Sequence, residues 1–181
     1  MNWQALEALA DGRQIWRVVT PLAREFQPGL QLDVAGQRLP ILRADHDSLS
    51  VVAAEPISAE AMTLTGQPLA IAEPQSLLIV SHDDGLFAAL AWLFRHRKQV
   101  PPDSLRLLAV FSGRLPFRPQ PSRYLTPMLP AHVTAALPLL DDWQIVSRIV
   151  HPDGLPGCFD ADPTALINVW QRSGDRLLVV R

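Results

Sequence analysis

The sequence predicts two architectures in series: a small antiparallel β-barrel over residues 1–75, then a parallel α/β layer over residues 76–181. Two observations carry that division. In the first part, apolar residues come in brief runs divided by turn formers, the pattern of short antiparallel strands. After Gln75 the apolar runs become continuous and alternate with stretches of helical spacing, the pattern of a parallel sheet buried on both faces.

The elements follow in order. A short amphipathic opening carries Trp3, Leu6 and Leu9. Strands are expected at residues 15–20, 30–34, 48–53 and 69–71, with Pro28-Gly29, Ala35-Gly36 and Gly66-Gln67-Pro68 between or beside them. Residues 34–38 read as a hairpin turn. Residues 76–80 form the first continuous apolar strand, and a helix follows over residues 85–97. Its apolar stripe is Leu86, Phe87, Leu90, Leu93 and Phe94; Trp92 falls off that stripe, so it is expected half exposed or packed against something other than the sheet. A second strand is expected at 105–111, a Pro-rich stretch at 114–130, a short helix at 131–139 and a third strand at 143–150. Asp162 is placed to cap a helix with Pro163 in its first position, and residues 177–180 form a fourth strand. Strand and helix in alternation imply right-handed crossovers and a parallel sheet.

Composition excludes several classes of function. At 181 residues the chain can bury a sizeable core, and 48% hydrophobic against 19% charged residues is incompatible with a disordered chain. A formal net charge of −2 offers no footprint for nucleic acid or an anionic membrane. No apolar run reaches the roughly 18 residues that a membrane helix needs. One cysteine, Cys158, excludes an internal disulfide and a Cys-based zinc site. With no signal-peptide pattern at the N-terminus, a reducing, cytoplasmic location is expected.

A barrel leading into a parallel α/β domain resembles the ferredoxin reductase family, and short motifs in the matching order carry the resemblance. Phe26-Gln27-Pro28-Gly29 before a strand is similar to the family's F-x-P-G-Q turn, and Gly66-Gln67-Pro68 to its glycine turn late in the barrel. Val110-Phe111-Ser112-Gly113-Arg114 resembles the family's strand ending in G-x-R. Ser147-Arg148 looks like the S-R pair that grips the nucleotide, and Asp153-Gly154-Leu155-Pro156-Gly157 like the D-G-x-x-G turn. The resemblance implies flavin on the barrel and a nicotinamide nucleotide on the second domain. If that activity survives, FAD or NAD(P) is held by Arg38, Arg43, Gly113, Arg114, Ser147 and Arg148.

Three landmarks depart from the family pattern. The flavin motif R-x-Y-S stacks an aromatic ring on the isoalloxazine; here Leu39, Ile41 and Leu42 stand in that register, and Arg43 would be a substitute phosphate ligand only if phosphate binding survives. The glycine-rich turn after the first parallel strand reads Ser81-His82-Asp83-Asp84-Gly85. Its two carboxylates suit a helix N-terminus but repel a pyrophosphate, by about 4 kcal/mol per charge pair at about 4 Å and an effective dielectric near 20. The family's later Cys-Gly-Pro strand has no counterpart before Arg181. Together these imply a truncated, degenerate relative that has lost flavin and nicotinamide binding and acts as a binding or partner module. A working flavin or NAD(P)H oxidoreductase, or an electron-transfer subunit, is the alternative.

The remaining candidates are weaker. His82, Asp83, Asp84, His151 and Asp153 fall in loops at the carboxyl edge of the sheet, where they would ligate a divalent metal in a metal-dependent enzyme or serve as caps and solvated loop residues. Asp45-His46-Asp47 reads as a polar turn and Cys158 as a buried thiol. Arg114, Arg118 and Arg123 lie in the Pro-rich stretch, solvated or facing an acidic or phosphate-bearing partner. The family's sheet order leaves the last strand at an edge, so a homodimer or a dedicated protein partner is expected to pair with it.

Overall fold

The computed structural model describes residues 2–58, 61–71 and 76–181. The chain forms two compact units, residues 1–70 with 87–95, and residues 71–86 with 96–181. The sequence boundary expected between residues 75 and 76 abuts residues 72–75, which lie outside the described residues.

The first unit is an antiparallel, barrel-like sheet of six strands: β1 (Trp3–Ala8), β2 (Gln14–Val19), β3 (Leu30–Val34), β4 (Gln37–Ala44), β5 (Ser48–Ala53) and β6 (Met62–Gly66). Their order is β1-β2-β5-β4-β3-β6. Val18, Leu32, Val34, Leu49 and Val51 are wholly buried and form the core with Leu39 and Ile41. The amphipathic opening is the edge strand β1, with a register shift between Ala5 and Glu7. Between β3 and β4 the two turn residues, Ala35 and Gly36, both take positive φ (54° and 81°), the primed turn that matches strand twist.

The strand expected at 69–71 is not one. The ladder ends at Gly66 (φ 97°), after which Pro68 has no N–H to donate. Leu69 N instead donates to Pro28 O at 2.7 Å. A Cβ on Gly29 (φ 101°) would lie 2.5 Å from Gln67 O, so this glycine is required by the close approach of the two turns. Two motifs that carried the resemblance therefore meet each other inside the barrel unit.

In the second unit the elements are β7 (Leu77–His82), α1 (Gly85–His96), β8 (Leu105–Val110), β9 (Gln120–Pro121), β10 (Ala135–Ala136), α2 (Pro138–Asp142), β11 (Val146–Val150), α3 (Pro163–Trp170) and β12 (Arg176–Val180), although residues 87–95 of α1 group with the barrel. The four long strands are parallel in the order β11-β8-β7-β12, so β12 is an edge as expected. Leu166 and Trp170 of α3 pack on Leu78, Val80, Leu108 and Val150. Asp162 caps α3, its carboxylate accepting from Thr164 N at 2.9 Å; that bond holds its pKa below the usual carboxylate value.

Two expectations are corrected here. The helix expected at 131–139 starts late: Ala135–Ala136 pairs with Gln120–Pro121, and helix begins only at Pro138, whose fixed φ suits a first turn. Phe94, expected on the buried stripe, is 41% exposed, while Trp92 is 3% exposed, which removes the half-exposed placement and leaves the packed one. Helix α1 is apolar on every side through Leu93, so it is buried all round rather than along one stripe, and Phe94 begins its exposed end.

Candidate functional site

At the carboxyl edge of the parallel sheet, three loops are tied to one another. Asp83 (φ 44°) donates its N–H to Val110 O at 2.9 Å, and its carboxylate accepts from Ser112 N at 2.8 Å and Ser112 Oγ at 2.9 Å. The turn after β7 is thus stapled to the loop after β8. Gly85, the one glycine of that turn, serves contact with the chain itself: a Cβ there would stand 2.6 Å from Val180 O at the end of β12.

His151, 3% exposed, ties the third loop to the second. Its Nδ1 accepts from Asp153 N at 3.2 Å, which leaves the proton on Nε2 to be donated to Gly113 O at 2.8 Å. The ring braces the loop after β11 against the loop after β8. Among the described residues no three His, Cys, Asp or Glu side chains gather to hold a metal. Cys158 is 4% exposed, and burial pushes its thiol pKa up, away from nucleophile chemistry.

The six residues expected to hold a cofactor fall in three places. Gly113 and Arg114 are exposed after β8, with open space where a Cβ on Gly113 would go. Ser147 is wholly buried and its Oγ accepts from Leu137 N at 3.0 Å. Arg148, 2% exposed, donates to Ser147 O (2.6 Å), Tyr124 O (2.7 Å) and Thr126 Oγ1 (2.8 Å). Burial lowers its pKa, and the charge of Asp141 partly restores it. In the barrel unit, Arg38 is exposed opposite Asp33, while Arg43 donates to Asp45 Oδ1 from Nε (3.0 Å) and Nη2 (2.7 Å). Beyond the strand ladders, the only hydrogen bond joining two of the six among the described residues is Arg148 to Ser147.

The flavin-motif register is occupied as follows. Ile41 is 2% exposed and turned into the barrel core. Leu42 packs against a cluster of Ile15, Val52 and Phe87, the last from α1.

Sequence reading missed two buried arrangements. Arg106, 2% exposed in the middle of β8, donates to Trp170 O and pairs with Asp175, whose side chain has no exposure. Asp141, 6% exposed, accepts from Ser122 Oγ (3.1 Å) and Arg123 N (2.8 Å) and faces Arg148 electrostatically. An arginine inside the apolar run Leu105–Val110 is itself the signal that a buried partner exists.

No protein-family model matches the chain. No curated protein matches it either. Solved structures do. An NADH-dependent reduced ferredoxin-NADP oxidoreductase, described for flavin-based electron bifurcation, aligns over 99% of this chain and 69% of its own, with TM-score 0.59 and 12% identity. A ferredoxin NADP+ reductase from Neisseria gonorrhoeae, solved with bound FAD and NADP, aligns over 98% of this chain and 82% of its own, with TM-score 0.57 and 13% identity. A ferredoxin-NADP+ reductase from Plasmodium falciparum aligns over 99% and 83%, with TM-score 0.53 and 8% identity. The six-stranded antiparallel sheet followed by a parallel four-stranded sheet is the fold of the ferredoxin-NADP+ reductases, and this chain shares it.

Proposed function

We propose that this chain is a binding module on a ferredoxin-reductase fold, acting by protein contact without flavin or nicotinamide chemistry. The observation that carries the reading is the barrel wall at β4. An isoalloxazine needs an outward aromatic face and polar anchors; here Ile41 lies in the core and Leu42 is packed beneath Phe87. The staple between Asp83 and Ser112 supports the same reading, since it sets a carboxylate where a pyrophosphate would need bare backbone N–H groups. So do the internal bonds of Arg148, which engage its guanidinium with the chain's own oxygens.

The contact surface in this reading is β12, and its occupant is a second copy of the chain. Among the described residues β12 pairs only with β7, and Leu177 and Val179 are 39% and 47% exposed along it. A long apolar edge of this kind favours strand addition. A buried lone thiol at Cys158 fits a reducing, cytoplasmic setting.

The test is the absorption spectrum of freshly purified protein, followed by thermal melts with FAD, FMN and NADPH. A colourless protein is expected. A ligand at 100 times its dissociation constant would add about 2.7 kcal/mol, so a yellow protein, or a clear shift with one nucleotide that persists when the exposed barrel arginines are changed (Arg24→Glu, Arg95→Glu), replaces this reading with an oxidoreductase or electron-transfer subunit. Light scattering on the wild type and on Val179→Lys checks the contact surface. A dimer that the lysine splits supports it; a monomeric wild type leaves a dedicated partner as the occupant.

A further inference from the structure

A groove of about 410 Å3 opens within the barrel unit, lined by the 3-10 turn Pro21–Arg24, the carboxyl end of β4 and the last turns of α1. We propose that it binds a small organic phosphate with a planar body, the phosphate held by Arg24 and Arg95. The volume falls in the range of roughly 300–1,000 Å3 usual for small-molecule sites. Its floor is apolar: Phe26 is 8% exposed and belongs to the barrel core.

The walls are cationic. Arg24, Arg43 and Arg95 line the groove against one acid, Asp45. That carboxylate is already engaged, because Arg43 donates to its Oδ1 from both Nε (3.0 Å) and Nη2 (2.7 Å). The guanidinium groups of Arg24 and Arg95 make no hydrogen bond or ion pair with any described residue. Two positive charges are therefore unbalanced in this groove, on a chain whose formal net charge is −2. The planar guanidinium fork matches phosphate oxygens, and a phosphate dianion matches both charges at once.

The planar body follows from Arg43. Its guanidinium lies 4.8 Å from the centroid of the Phe94 ring and is fixed in place by Asp45. A guanidinium so levelled is a platform on which a flat, unsaturated group stacks. Of the six residues implied by the family resemblance only Arg43 lines this groove, so the inference is independent of whether a nucleotide binds elsewhere.

Titration calorimetry with phenyl phosphate tests it, using inorganic phosphate and benzoate as comparison probes and Arg24→Glu and Arg95→Glu as variants. Both arginines are exposed, so the variants are expected to keep the wild-type circular dichroism and melting temperature. Phenyl phosphate should saturate one site, about tenfold tighter than either comparison probe, and each variant should weaken it about tenfold or more. Three results would overturn the proposal. One is no saturation by phenyl phosphate, another is equal binding of either comparison probe, and the third is binding that Arg24→Glu or Arg95→Glu leaves unchanged.

Discussion

Two arginines on neighbouring parallel strands, Arg106 on β8 and Arg148 on β11, are each 2% exposed, yet they are held by different chemistry. Arg106 meets a buried carboxylate, Asp175, and a helix-end carbonyl, Trp170 O. Arg148 meets only neutral oxygens, those of Ser147, Tyr124 and Thr126, with the nearest opposing charge on Asp141 acting without a direct bond. The first is a closed ion pair that ties β8 to the segment before β12. The second is a cation that orders the irregular chain between β9 and β10. The contrast shows how a binding motif can persist in sequence while its charge is directed inward, since Ser147-Arg148 is the pair that in the resemblance faces a nucleotide.

The largest effect is expected where the contrast is sharpest. Arg106→Met leaves Asp175 buried without its counter-charge, and Asp175→Asn leaves Arg106 in the same position; each should cost about 3–5 kcal/mol. In a chain of this size that is a fall in melting temperature of roughly 6–20 °C. If denaturant melts of either variant differ from wild type by less than about 1 kcal/mol, the closed-pair account is wrong.

The same pair gives a pH signature that Arg148 cannot. Burial alone would raise the pKa of Asp175, but bonds from Ser76 Oγ, Arg172 N and Arg106, with the charge of Arg106, hold it below the usual carboxylate value. Its stabilising contribution is thus complete above the unfolded value of about 3.9 and is lost as pH falls through the lower folded value. The stability gap between wild type and Asp175→Asn should be constant from pH ~7 to ~5 and close below about pH 4. A gap that closes between pH ~7 and ~5 would contradict the depressed pKa.

Arg148→Met should be milder, about 1–3 kcal/mol, because it strands neutral oxygens rather than a buried charge. A cost equal to that of Arg106→Met would erase the distinction between the two sites. The same variant bears on function: any nucleotide response that survives in it does not depend on Arg148.

How much of this was legible in the sequence differs between backbone and side chains. Three of the barrel strands (β2, β3 and β5), the four parallel strands and the Asp162-Pro163 helix start were readable because periodicity and capping are local properties, whereas the order of the parallel strands came from the family resemblance and β1, β4 and β6 were not read as strands. The strand misplaced to 69–71 and the helix misplaced to 131–139 both lie beside prolines, where a missing N–H, not hydrophobicity, decides the outcome. The site was less legible. In the sequence Gly29 and Gly85 show only that a turn is present, and the 2.5 Å and 2.6 Å approaches of Gln67 O and Val180 O show that packing requires them. The partners of Arg148 lie 22 and 24 residues away in a stretch without periodicity.

The smallest expected effect isolates one bond of the second arginine. Thr126→Val removes the hydroxyl that accepts from Arg148 Nη2 at 2.8 Å but keeps the side chain's shape. The other two oxygens, Ser147 O and Tyr124 O, still receive the guanidinium. Because Nη2 still donates to Tyr124 O, the loss should be about 0.5–1.5 kcal/mol if the group stays buried, less if Arg148 turns toward water. Hydrogen exchange separates these cases, because Arg148 also anchors the backbone at Tyr124. If the guanidinium holds its place, exchange at residues 122–126 stays slow; if it swings out, those amides exchange together while β8 and the Arg106 pair remain protected. Coupled loss of protection at both arginines would mean that they form one network, and the comparison between a closed pair and an inward-turned cation would fail.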